Sequence, residues 1–511
     1  MSPFLAIDVG TTAVKAGLFT AEGACLASAG YDYTLQTPRV DYIELDAEVY
    51  WQATCDVVQR VLQTTRPQMG SAVQAIAVSS QGETTIAVDA DGRPLHPALV
   101  WLDNRATRQA QQLEQILGAQ VYARTGIPDV NASWTACKIA WLRDNQPEVF
   151  HAAHKFLLVQ DFIVQRLTGR FVTDGAISCT TLLYDILEHR WWPLALDAVG
   201  LDAQRLADIE RPGGVAGRLT TKAAQELGLS PGVPVVLGGM DQSAGAVGAG
   251  TLNEKVISET TGGALAIQAA VSRPDVDPSG RIPVYVHSAP GQYLFVPTSD
   301  TGGMAFKWFR NVFGEAEIQR ASASQEDAYD LLTAQAAAVE AGSEGLIMLP
   351  HLTGAYSPEY NPFARGVFYG FTLYHQKGHF VRAVLEAIAY MLRRNLELIA
   401  GAGVHPVEVR STGGGALSPL WRQIKADVLN LPVVSLQESN TALLGNAMLG
   451  ALAVGTFDSL EQAASSMVRV ADRLDPQPVN VPVYEQAYQR YCQLNDNLDP
   501  LFRQHFSVGE S

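Results

Sequence analysis

Hydrophobic and polar positions along the chain first pick out one short stretch, LAIDVGTTAVKAGLF at residues 5–19. Two apolar runs rich in β-branched residues read as buried strands. The residues between them, Asp8-Val9-Gly10-Thr11-Thr12, read as a tight turn. Ala75-Ile76-Ala77-Val78 predicts a further buried strand, with residues 85–89 as its partner beyond Ser79-Ser80-Gln81-Gly82-Glu83. The stretch DADGRPL at 89–95 supplies a turn, and residues 105–206 carry a more helical pattern. A strand then follows at 233–237, ending in Gly238-Gly239-Met240-Asp241, with a helix of small residues over 242–250. Residues 255–267 repeat the opening pattern as strand, acidic turn with Thr and Gly, and strand. The order of Thr and Gly differs, so the likeness is one of pattern. It suggests two related domains facing each other, with chance similarity of two turns as the alternative. A third glycine cluster, Ser411-Thr412-Gly413-Gly414-Gly415-Ala416-Leu417-Ser418-Pro419, runs from a strand into a helix with Ser418 at the N-cap and Pro419 at N1. Leu420, Trp421, Ile424, Val428 and Leu429 mark the apolar face of that helix.

At 511 residues the chain exceeds one core, so two or more domains are expected. No run is long and apolar enough to span a bilayer, and the opening MSPFLAIDVG has no basic leader pattern. Cysteines at 25, 55, 137, 179 and 492 have no paired spacing and read as reduced thiols of a cytoplasmic protein. Neither CxxC nor HExxH occurs and the histidines show no metal spacing, so no zinc site is expected. A net charge of −16 argues against a nucleic-acid partner. It leaves a nucleotide open, because backbone N–H groups and a divalent cation hold phosphates without a basic surface.

GxxxxGK[ST] and a post-strand GxGxxG are both missing, which removes the P-loop and the dinucleotide fingerprint. Two Thr/Gly hairpins could instead clasp a polyphosphate from opposite sides. Asp8 beside phosphates would be repelled unless Mg²⁺ intervened, since Mg²⁺ takes one or two carboxylates together with phosphate oxygens. The alternatives are that Asp8 and Gly10 only make a turn, and that the third glycine cluster only lets a strand and a helix pack closely.

Several motifs in fixed order resemble the FGGY carbohydrate kinases over nearly the whole chain. They are IDVGTTAVKAGLF, WLDNRA, LGGMDQSAGAVGAG, ETTGGALAI, NPFARGVFYGFT followed by AVLEAIAYMLR, and STGGGALSPLWRQIKADVLNLPV. The resemblance implies an α/β fold of two actin-like, ribonuclease H-like domains, as in hexokinase and heat-shock proteins, around a central cleft. It places an N-terminal domain at 1–245, a C-terminal domain at 246–475 and a helical tail at 476–511. ATP and Mg²⁺ are the implied cofactors and a small sugar or polyol the implied partner, with no nucleic acid or membrane; the oligomeric state stays open, a homodimer included. Asp8 would hold the metal. Gly10, Thr11, Thr12, Thr261, Gly262 and Gly263 would contact phosphates, and Gly414, Gly415 and Ser418 would line the adenosine pocket. Asp241 would be the catalytic base, with Gln81, Gly82, Glu83, Trp101 and Gln242 beside it around the acceptor.

A carboxylate at the end of a strand suits phosphoryl transfer, which asks for positioning, charge stabilisation and one acceptor for the hydroxyl proton. Asp241 could also be simply a helix N-cap, and Glu259 or Asp103 would be the next candidates for a base. The layout resembles xylulokinases, whereas Glu83-Thr84, Asp241-Gln242 and GAYSPEYNPFARG lean toward glycerol kinases. Gly82 removes a large side chain and so favours an acceptor longer than glycerol, with D-xylulose the first expectation and glycerol, another ketopentose or gluconate the alternatives. Trp191-Trp192 and Trp308-Phe309 read as packing rather than sugar platforms. A chaperone-like ATP-driven machine and a catalytically quiet sugar sensor are the rivals from other classes.

Overall fold

A computed structural model describes residues 3–65, 73–274, 277, 279–324 and 326–507. Met1 and Ser2 of the opening stretch, and the last four residues of the tail, lie outside the described residues. The chain divides into two compact units. The first comprises residues 1–252, 270–294 and 440–469; the second comprises 253–269, 295–439 and 470–511.

In the first unit, strands Phe4–Val9 and Ala13–Phe19 pair antiparallel, as the alternation of residues 5–19 predicts. The sheet has six strands, in the order Val215–Arg218, Pro234–Met240, Ala75–Ser80, Phe4–Val9, Ala13–Phe19, Cys25–Asp32. Three adjacent strands, Pro234–Met240, Ala75–Ser80 and Phe4–Val9, are parallel. All six residues of Ala75–Ser80 are buried, which is why that run is continuously apolar at first and shows no alternation. Residues 85–89 are not its partner. Ile86–Val88 instead pairs with Lys155–Leu157, because the inner strand already has a parallel neighbour on each side.

The second unit repeats the plan. Five strands of its sheet run in the order Leu265–Val271, Val256–Thr261, Glu408–Thr412, Val433–Leu436, Val470–Leu474. The hairpin is again antiparallel, the next two pairings are parallel, and the last is antiparallel. The turn after Ala75–Ser80 in one unit therefore corresponds to the glycine turn after Glu408–Thr412 in the other. In open sheets with parallel strands, ligands bind outside the carboxyl ends of those strands, and the residues singled out in the sequence lie at these ends.

Candidate active site

Strand register gathers the first group. Asp8 lies opposite Ser79, Val9 opposite Ser80, and Ser80 opposite Met240. The Asp8 turn, the Gln81–Glu83 turn and Asp241 consequently leave three adjacent strands at the same edge. Ser79 Oγ donates to Asp8 Oδ1 at 2.7 Å and itself accepts from Asn446 Nδ2 at 2.8 Å. Asn446 Nδ2 also donates to the Ile7 carbonyl at 2.9 Å. Burial raises the pKa of Asp8, opposed by the Ser79 hydrogen bond and the Lys15 charge. Within the turn the Gly10 amide donates to the Ala13 carbonyl at 2.9 Å, and Thr12 is exposed. Trp101 Nε1 donates to Thr11 Oγ1 at 2.8 Å, which ties the expected acceptor wall to the turn expected to contact phosphate.

Asp241 is the first residue of helix Asp241–Gly248, whose N-cap is Met240. The strand reaches it through Gly239 at φ +78°, where a Cβ would stand 2.5 Å from Ser288 Oγ and 2.7 Å from Ala176 Cβ. Only glycine satisfies both conditions. Ser288 Oγ donates to the Gly238 carbonyl at 2.7 Å, and the Ser288 amide donates to Ser243 Oγ, in the helix that Asp241 opens, at 2.6 Å. The helix packs on Thr441–Ala453 by backbone contact, since a Cβ on Gly248 would lie 1.9 Å from the Thr441 carbonyl oxygen. Asp241 Oδ1 accepts from the Gln242 amide at 2.6 Å. Burial, then repulsion from Asp8, pushes the pKa of Asp241 up to about 7. The mutually repelling carboxyl groups of Asp8 and Asp241 are hard oxygen donors of the kind that suits a divalent cation.

The acceptor turn is buried. Gln81 Nε2 donates to Tyr50 Oη at 2.9 Å, while its Oε1 is buried with no hydrogen-bond partner among the described residues. Glu83, only 9% exposed, is not a solvated turn acid. Its φ of +53° is held by its carbonyl, which accepts from Thr135 Oγ1 at 3.0 Å and Lys138 Nζ at 3.3 Å. Burial raises the pKa of Glu83; Lys138 opposes this and Asp241 adds to it. Lys138 is fully buried, and burial lowers its own pKa. Gly82 does not open extra room. A Cβ there would meet the Thr180 side chain at 3.0–3.3 Å, so Thr180 fills the space and the size argument for a longer acceptor loses its basis.

In the second unit, Thr261, Gly262 and Gly263 end one strand and Gly413, Gly414 and Gly415 follow its parallel neighbour. Among the described residues nothing lies within 4 Å of a Cβ on Gly262, and only Met304 Cε, at 4.0 Å, approaches one on Gly263. The Thr261 side chain is buried and turned inward. A Cβ on Gly415 would lie 2.6 Å from Thr261 Cβ, so the two turns touch and Gly415 must lack a side chain. Ser418 caps helix Pro419–Leu429 by accepting from the Trp421 amide at 3.3 Å. On that helix Trp421, Ile424 and Val428 are buried as expected, and Lys425, which the apolar stripe did not include, is buried with them.

The reserve bases are both engaged structurally. Glu259 is buried against Lys425 Nζ at 2.6 Å, and Asp103 accepts from the Ile43 amide at 2.6 Å and from Arg105 Nε and Nη2. Trp192 is buried and Trp191 packs against the same core; Phe309 is buried, and Trp308 packs edge-on against Phe313. Among the described residues no group of three or more His, Cys, Asp or Glu could hold a metal on its own. Asn446, Ser288 and Thr180 went unread in the sequence, and Ser79 and Ser243, although inside stretches already named, were given no role, because single small polar residues carry no signal of what they will meet in space.

Residues 4–248 match the N-terminal domain, and residues 258–454 the C-terminal domain, of the FGGY carbohydrate kinases. The chain belongs to the FGGY family of carbohydrate kinases. It is 31% identical to a gluconokinase of Bacillus subtilis (strain 168), covering 93% of this chain and 92% of that one. It is 29% identical to a xylulose kinase of Lactococcus lactis subsp. lactis (strain IL1403), covering 99% and 98%. A ligand-bound xylulose kinase from Lactobacillus acidophilus superposes with a TM-score of 0.89 at 27% identity, covering 99% of this chain and all of that one. The fold is accordingly that of the actin-like ATPases, and carbohydrate kinases of this family use ATP as phosphate donor. Membership makes the chain a phosphotransferase acting on a sugar, which sets aside the chaperone and sensor readings.

Proposed function

We propose that this kinase phosphorylates a small neutral sugar, D-xylulose to D-xylulose 5-phosphate, with Asp241 as the base. Both relatives named above act on small sugar-derived substrates, one of them an acid, so the charge at the acceptor turn is the discriminating feature. Two carboxyl groups, Glu83 and Asp241, lie there. The nearby cations are already engaged: Lys138 Nζ donates to the carbonyls of Ser133 and Glu83, where its charge partly offsets that of Glu83, and the Arg105 guanidinium pairs with Asp103 and Glu44. A carboxylate-bearing acceptor such as gluconate would find both nearby cations occupied and no charge complement in carboxyl groups that burial keeps partly protonated, whereas hydroxyl groups suit Gln81 Oε1 and those same carboxyls.

In the reaction the acceptor hydroxyl oxygen bonds to the γ-phosphorus as the bond to the β-bridging oxygen breaks, and Asp241 takes the hydroxyl proton. Gly10, Thr11 and Thr12 would contact the phosphates, and so would the open backbone at Gly262 and Gly263. Gly414, Gly415 and Ser418 would bound the adenosine. Asp8 would hold Mg²⁺, which when bound offsets charge on the phosphates. The five cysteines form no disulfide, and none of the described helices is long and apolar enough to cross a membrane, in keeping with a cytoplasmic site of action.

A coupled assay of ADP release across D-xylulose, other ketopentoses, glycerol and D-gluconate tests the reading. D-xylulose is expected to give the highest kcat/KM. A higher value for gluconate would overturn it.

A further inference from the structure

Beneath the second phosphate turn lies a fully buried ion pair. Lys425 Nζ donates to Glu259 Oε1 at 2.6 Å, to Thr261 Oγ1 at 2.9 Å and to Ser411 Oγ at 3.4 Å. Thr261 Oγ1 donates to Glu259 Oε2 at 2.7 Å, and Ser411 Oγ donates to Glu259 Oε1. Both charged side chains have 0% exposure. All three ammonium protons and both carboxylate oxygens are thus engaged. The lysine comes from helix Pro419–Leu429, which the adenosine turn leads into, and the glutamate from the strand that ends in the phosphate turn.

A buried pair of this kind is weak evidence for stability, because desolvating both ions opposes their attraction. Its geometry serves another purpose. The Thr261 hydroxyl both donates into and accepts from the pair, which turns this side chain inward. Thr261 is also the group against which Gly415 is seated. We infer that Lys425 is a positioning residue, which with Glu259 fixes Thr261 and so sets both nucleotide turns of this unit relative to each other. The inference rests on the reading that these turns hold ATP. It assigns the Thr261 hydroxyl to the brace, leaving the backbone of Gly262 and Gly263 to face phosphate.

The test compares the paired replacement Glu259→Leu with Lys425→Met, which leaves no orphaned charge, with Thr261→Val and Thr261→Ser. Calorimetry with a non-hydrolysable ATP analogue, steady-state kinetics and thermal midpoints are read on each. The paired variant and Thr261→Val are expected to fold, to weaken the analogue by about tenfold or more, and to leave the acceptor KM within about twofold. Thr261→Ser, which keeps the hydroxyl, should bind like the parent. Native analogue affinity in a folded paired variant would overturn the inference. Equal affinities for Thr261→Val and Thr261→Ser would do so even if the paired variant failed to fold. Absence of analogue binding by the parent protein would instead remove the reading beneath it.

Discussion

Ser79 and Asp8, 71 positions apart in sequence, are joined by a 2.7 Å hydrogen bond across two parallel strands, with Asn446 donating to the same serine hydroxyl. The carboxylate expected to face the metal–nucleotide complex is thereby held in one orientation. Replacing Ser79 by Ala should raise the Mg²⁺ concentration needed for half-maximal rate by about tenfold, with the acceptor KM unchanged. Titration of activity with Mg²⁺ at saturating acceptor checks this, and an unchanged requirement would show that the serine does not govern Asp8.

Asp241→Asn should lower kcat by about 10²–10⁴ while nucleotide binding persists. The same change should stabilise the fold at neutral pH. The folded pKa of Asp241 lies above its unfolded value, so the folded state binds more protons between about pH 4 and pH 7, and stability declines as pH rises through that window. The variant should therefore gain on the order of 4 kcal/mol over the parent at pH 8 and nothing near pH 4. Thermal midpoints at the two pH values would decide.

The same shift governs the rate. As the base, Asp241 would have to be ionised to accept a proton, so kcat/KM for the acceptor should rise with pH through a midpoint no higher than about 7, because Mg²⁺ held by Asp8 would offset the repulsion that contributes to the shift. Asp8→Asn removes the neighbouring repulsion and should move the Asp241 midpoint downward. The titration can be followed by carboxyl NMR in metal-free protein, where a midpoint unaffected by Asp8→Asn would refute the coupling.

His287, fully buried against helix Asp241–Gly248, has Nε2 3.0 Å from the Thr251 carbonyl oxygen and Nδ1 3.1 Å from Ser243 Oγ. Burial depresses its pKa to about 4. The unfolded chain then binds the extra proton first, so stability should fall as pH drops from about 6.5 toward 4, by up to about 3 kcal/mol. His287→Gln should flatten denaturant midpoints over that interval, even if it lowers them overall. An equally steep decline in the variant would locate the acid sensitivity elsewhere.

Several features were written locally and could be read directly. The two hairpins, the strand into Asp241 and the Ser418 cap each depend on alternation, turn residues or a capping side chain within a few positions. Sequence alone also ordered the motifs that carry family membership. What it could not supply were relationships between distant segments. The Gly82 turn looked roomy until Thr180, from a separate helical region, proved to occupy the space. Residues 85–89 looked like a partner strand because pairing depends on which neighbours an inner strand already has. Glu259 looked like a reserve base because a carboxylate's availability depends on what faces it, and Lys425 lies 166 positions away. Local pattern determines which elements form, since propensity and burial act over a turn or two. Only the tertiary structure decides which charges are paired, which cavities are filled and which carboxylate keeps a raised pKa, because those energies depend on distance in space and on exclusion of water.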